Sequence, residues 1–124
     1  SFPTRRSSEL IKTNNMALDI TTLLKDMLGA AKPILKTYWK EAKPYAEKES
    51  QSFLSNLAMI EKLKLTGEIT KEEADIHVQI QKNSFRTVLV AIKGIGIITA
   101  ENAINAAIGV IKNTVNTAIG WTLL

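Results

Sequence analysis

The run Thr66-Gly67-Glu68-Ile69-Thr70 constrains this chain more than any other feature, because it punctuates two long stretches of helical periodicity. Thr70-Lys71-Glu72-Glu73 fits a capping box, in which the Thr70 hydroxyl accepts from the third helical amide and Glu73 reaches back. Gly67 suits the left-handed position that closes the preceding helix. Glu72, Glu73 and Asp75 then occupy the first turns of the next helix, where its dipole favours carboxylates.

Dividing the chain there leaves two arms of equal length, Met16–Leu65 and Lys71–Gly120, each about 75 Å long if wholly helical. In the first arm Ile20, Leu24, Met27, Ala31, Ile34 and Tyr38 alternate steps of four and three, a coiled-coil seam. Phe53, Leu57 and Ile60 resume it. The second arm continues the stripe through Ile76, Ile80, Val88, Ile92 and Ile95, then Ile104, Ile108, Ile111, Val115 and Ile119.

Ala31-Lys32-Pro33 recurs as Ala42-Lys43-Pro44, and each proline removes an amide donor and bends or interrupts its helix. These patterns predict an all-α fold, a long antiparallel two-helix hairpin with proline kinks. The alternative is a three-helix bundle with a break near residues 29–33. Residues 16–124 form the single helical domain in either case. Antiparallel pairing about the turn places Tyr38 and Trp39 opposite Gly94 and Gly96, and Met27 opposite Gly109. Bulky side chains against glycines let helices approach closely with the space filled.

Residues 1–15 read differently. Ser1-Phe2-Pro3-Thr4-Arg5-Arg6-Ser7-Ser8-Glu9-Leu10 resembles the in-frame translation of a common sequencing adapter, with Glu9 where that translation gives Asp. The resemblance implies assembled environmental reads and an irregular segment over 1–15. Ile11–Asn15, with AT-rich codons, reads as an untranslated leader, so the expected start is Met16; the alternative is a gene fragment whose true beginning is missing. Setting aside Arg5, Arg6, Lys12 and Glu9 removes three positive charges and one negative, taking the formal net charge from +4 to +2. Arg86 is then the sole arginine. A signal-peptide core and an uninterrupted apolar span are both missing, which makes the cytoplasm the default location.

Signals for catalysis are weak. The chain has no cysteine, which excludes disulfides, thiolate metal sites and thiol nucleophiles. His77 and Glu73 share a helix face but supply only two metal ligands, and nothing nearby completes a site. Gly94-Ile95-Gly96 follows no strand, so it is not a phosphate loop. No base is placed to activate a serine or threonine. The reading is a non-enzymatic protein with no cofactor, no metal and no small-molecule substrate.

Surface patterns carry more. Asn102, Asn105, Gly109, Asn113, Asn116 and Gly120 share one narrow helix face, opposite the isoleucine stripe. A solvated helix carries charge on its outer face, whereas this face is small and neutral. It suits close packing against other copies, with asparagines pairing across helices. Lys32, Lys36, Lys40 and Lys43, beside Tyr38, Trp39 and Tyr45, read first as a solvated helix face interleaved with Glu41, Glu47 and Glu49; the alternative is contact with acidic lipid or nucleic acid. Trp121-Thr122-Leu123-Leu124 adds an apolar tail. The expected function is that of a structural or interaction protein that forms homo-oligomers through amphipathic helices. The alternative is a membrane-active helical protein, a pore former or lysis factor. Nucleic acid is disfavoured by the scarcity of arginine, whose planar fork makes bidentate phosphate and base contacts.

Overall fold

A computed structural model describes residues 18–124, and the adapter-like reading of residues 1–15 lies outside them. The chain is all-α, with no strand among the described residues. Helix α1 spans Ile20–Leu35, a 3-10 turn covers Lys36–Tyr38, α2 spans Trp39–Leu65, α3 Lys71–Val90 and α4 Ile97–Ile119.

Four contacts define the topology. Ser84 Oγ donates to Glu49 Oε1 at 2.9 Å, joining α3 to α2. Arg86 Nη1 and Glu101 Oε2 meet at 3.2 Å between α3 and α4. Ile20 shares a surface groove with Ser55, Ala58, Met59 and Lys62, so the start of α1 lies beside the last third of α2. Lys64 Nζ donates to the Ile119 carbonyl at 2.6 Å, which brings the end of α4 back beside the turn at Thr66–Thr70. The helices therefore run up, down, up and down, with α1 packed against both α2 and α4.

Neither arm is one continuous helix. The first folds back on itself, as in the three-helix alternative, but the break lies at Lys36–Tyr38 rather than at 29–33. Pro33 and Pro44 sit inside α1 and α2, flanking that break. The Lys36 amide still donates to the Lys32 carbonyl, and then Lys36 itself takes φ 51° and ψ −118°. The second arm also breaks, where Gly94 adopts φ 98° and Gly96 becomes the extended N-cap of α4. A two-helix hairpin is thereby folded in half into a four-helix bundle.

The Thr66–Thr70 turn keeps its local chemistry. Gly67 has φ 72°, and the Glu68 amide donates to the Leu63 carbonyl at 2.8 Å. The Glu73 amide donates to Thr70 Oγ1 at 3.1 Å while the Thr70 amide donates to Glu73 Oε1 at 2.9 Å, closing the capping box. The Thr70 amide and, after it, the Thr70 hydroxyl hold the Glu73 carboxyl below its ordinary pKa.

Phe53, Leu54, Leu57 and Ile60 from α2 meet Phe85 and Leu89 from α3 in the core, with Met27 and Leu35 from α1 and Ile111 and Val115 from α4. Fully buried alanines, Ala42 and Ala46 on α2 and Ala100, Ala103 and Ala107 on α4, let the backbones approach. The isoleucine stripe of α4 faces inward as its period implies. On α3 the inward face is Ala74, Val78, Phe85 and Leu89, whereas Ile76 and Ile80 are 60% and 54% exposed. The expected stripe there is two residues out of phase.

Two local features yield expected outcomes. A lysine at φ 51° is strained, and such conformations cost about 1–3 kcal/mol. Lys36→Gly relieves the strain but pays glycine's greater chain entropy, so a net gain of about 1 kcal/mol is expected in urea denaturation. Lys36→Ala, which keeps the strain, gives no comparable gain.

The second is Glu61. Its Oε1 is buried, with no hydrogen-bond donor reaching it among the described residues. Burial raises its pKa above the ordinary 4.5. The folded state then binds this proton more tightly than the unfolded chain does, so the group weakens the fold as pH rises through and above the carboxyl range. Glu61→Gln is expected to stabilise the protein at neutral pH by up to about 1 kcal/mol, a value kept low because the side chain is only partly buried. The advantage should vanish in thermal melts below pH 4.5.

Candidate interaction surfaces

The neutral face of α4 points outward. Asn102, Asn105, Gly109 and Asn113 are exposed, and between Glu101 and Leu124 the one charged side chain is Lys112. Gly109 is an ordinary helical residue, and a Cβ there would meet nothing within 4 Å. The expected Met27–Gly109 contact is therefore absent: Met27 is fully buried while Gly109 faces solvent.

The last two members of that face have work inside the fold. Asn116 Oδ1 accepts from the Leu123 and Leu124 amides, both at 3.0 Å. Gly120, at φ 85°, closes α4, and its amide donates to the Asn116 carbonyl at 2.8 Å. Lys64 lies 4.8 Å from the centre of the Trp121 ring, a cation–π contact that holds the C-terminal tail against α2. Trp121–Leu124 is thus folded onto the bundle instead of extending from it.

Beside the α4 face, Ile76 and Ile80 project from α3. Gln79, Lys82 and Arg86 on α3 and Glu101, Ile104 and Asn105 on α4 line one groove of ≈ 250 Å³ between the helices. Arg86 sets its polar end, bonded to Glu101 and, through Nη2, to Asn83 Oδ1 at 3.0 Å. The two isoleucines and the asparagine–glycine face thus form one broad α3–α4 surface.

The end of the bundle farthest from the Thr66–Thr70 turn has another character. Tyr38 there packs on Gly94: a Cβ at Gly94 would lie 2.6 Å from Tyr38 Cε1. Trp39 is partly buried against the core, but Gly96 has open space where a Cβ would go, so the Trp39–Gly96 packing expected from the hairpin is not formed. Lys32, Lys36, Lys40 and Lys43 are exposed around this end, and Lys93 joins them from the α3–α4 loop. A groove of ≈ 720 Å³ opens beside it, with Pro44, Tyr45, Val88, Ala91 and Ile92 in its wall and Lys40, Glu41 and Lys93 completing its lining. Ile97 and Ile98, 61% and 76% exposed, begin α4 at the same end.

Sequence periodicity missed the four exposed isoleucines. For Ile97 and Ile98 the signal was present, since Gly94 and Gly96 mark a helix start just before them. For Ile76 and Ile80 it was ambiguous, because α3 carries apolar residues at two phases. His77 and Glu73 gain no third ligand, and the described residues contain no group of three or more His, Cys, Asp and Glu able to hold a metal. No described helix is long and apolar enough to cross a membrane.

No protein-family model, curated protein or solved structure matches this chain.

Proposed function

We propose that the chain is a non-enzymatic interaction protein that self-associates through the outer α3–α4 surface. The observation that carries this reading is the pairing of exposed Ile76 and Ile80 with a neighbouring helix face that is neutral and small. Gly109 strengthens it. A mid-helix glycine is less favourable than alanine by about 1 kcal/mol, and nothing inside the bundle requires one there. A helix from a second copy could approach closely over Gly109, with Asn105 and Asn113 pairing across the contact.

A two-helix hairpin buries only one stripe per arm and needs a partner to cover it. The bundle covers those stripes itself, so the proposal rests on the outer surface alone. Sedimentation is expected to show a concentration-dependent oligomer, which Gly109→Arg or Ile80→Lys shifts toward monomer while the helical circular dichroism is retained. A well-folded monomer throughout the micromolar range would sink the proposal.

A further inference from the structure

We propose that the end of the bundle formed by the Lys36–Tyr38 turn and the 91–96 loop docks on an anionic lipid surface, as a peripheral contact that does not span the bilayer. Charge complementarity selects the occupant. Residues 32–45 carry four lysines against Glu41 alone, and residues 87–100 add Lys93 with no acidic residue. Beyond these windows Glu101 is paired with Arg86, and Glu47 lies one turn deeper along α2 than Lys43.

Apolar groups project from the same end. Ile97 and Ile98 stand out of the first turn of α4, and Tyr45 is half-exposed in the wall of the adjoining groove. The Gly94 turn produces this arrangement: it draws Ile95 inward to 5% exposure and leaves the two isoleucines after Gly96 outside. Gly96 supplies no side-chain cap, so the first amides and positive dipole end of α4 add to the cationic field. Lysines with isoleucines at one tip match an anionic headgroup layer over hydrocarbon. A nucleic-acid backbone uses the charge but gives isoleucines no apolar phase, and the one arginine among the described residues is engaged by Glu101 and Asn83.

The surface is distinct from the α3–α4 face, so the two proposals fail separately. The test is co-sedimentation of the full chain with phosphatidylcholine vesicles, with and without phosphatidylserine, at low and high salt. Binding is expected only to the anionic vesicles and to weaken with salt. Each Lys→Glu change at Lys40 or Lys93 should weaken partitioning at least about fivefold. Ile97→Ser with Ile98→Ser should weaken it about tenfold or more, and Gly109→Arg should leave the intrinsic affinity of the tip in place.

The two tryptophans report orientation without touching the tip charges. With Trp121→Phe, the remaining Trp39 should be quenched by brominated lipid, whereas with Trp39→Phe the remaining Trp121, at the opposite end, should not. Absence of binding to phosphatidylserine vesicles at low salt would overturn the proposal. So would binding that ignores the isoleucine changes and is matched by duplex DNA, because that would make the tip a general polyanion site.

Discussion

Truncating Phe85 to alanine is expected to lower the stability of the bundle by about 3–5 kcal/mol, the largest effect of any single side-chain deletion proposed for this chain. Phe85 is 1% exposed and lies on the inner face of α3 with Val78 and Leu89. Because α3 is held between α2 on one side and α4 on the other, neighbouring helices cannot close onto the vacated space without losing their own packing. A domain of this size has a total stability of about 5–15 kcal/mol, so the variant should sit near the edge of folding.

The informative comparison is Ile80→Ala on the same helix. Ile80 is 54% exposed, and its truncation is expected to fall within about 0.5 kcal/mol of the parent in urea denaturation. A straight two-helix hairpin, with the Ile76–Ile80 stripe turned inward, ranks Ile80 as a core position. Equal losses at the two positions would mean that α3 presents the wrong face to the core and that the α3–α4 surface is not open to a partner.

The contrast between these residues shows what the sequence made legible. Two kinds of signal were readable: the Thr70 capping box needs only four positions, and Ile104, Ile108, Ile111, Val115 and Ile119 repeat on one face over about four turns. In α3, Ala74 and Val78 contribute little side-chain volume to a periodicity count, whereas Ile76 and Ile80 dominate it. Which set turns inward depends on α2 and α4, not on α3 itself.

The break at Lys36 was illegible for another reason. A lysine carries the positive φ there, and no glycine or asparagine announces it. Pro33 advertised an interruption slightly too early, because proline near the end of a helix removes one bond without ending the hydrogen-bonded turn. The Tyr38–Gly94 contact was reached from a different topology. A long hairpin sets the two segments opposite each other along its length, and the folded bundle sets both loops at one end. Asn116 and Gly120 belong to the same periodic face as Gly109, but the Leu123 and Leu124 amides engage Asn116, and Gly120 takes the left-handed turn that closes α4. Only the folded arrangement separates the members that close α4 from those left outward.

Gly94→Ala is expected to cost about 2–5 kcal/mol through two separable causes. The first is conformational: at φ 98° a residue with a Cβ is disfavoured by about 1–2 kcal/mol or more. The second is steric, since the new methyl group would sit 2.6 Å from Tyr38 Cε1 and 3.0 Å from both Cζ and the hydroxyl oxygen. The Tyr38 ring is packed against the core and must be displaced from that position, a repacking cost of about 1–3 kcal/mol. Gly96→Ala is the control, because its φ is −83° and its added Cβ meets nothing. It should cost less, about 0.5–1 kcal/mol, since Gly is preferred to Ala at an N-cap even without a side-chain bond. Combining Tyr38→Leu with Gly94→Ala should recover the steric part and leave the conformational part, giving a coupling energy of about 1 kcal/mol or more in the double-mutant cycle. Additive losses would place Tyr38 elsewhere and separate the two loops. Because the Gly94 turn also buries Ile95 and releases Ile97 and Ile98, Gly94→Ala should weaken lipid partitioning along with stability, whereas Phe85→Ala, measured below its melting range, should leave partitioning intact.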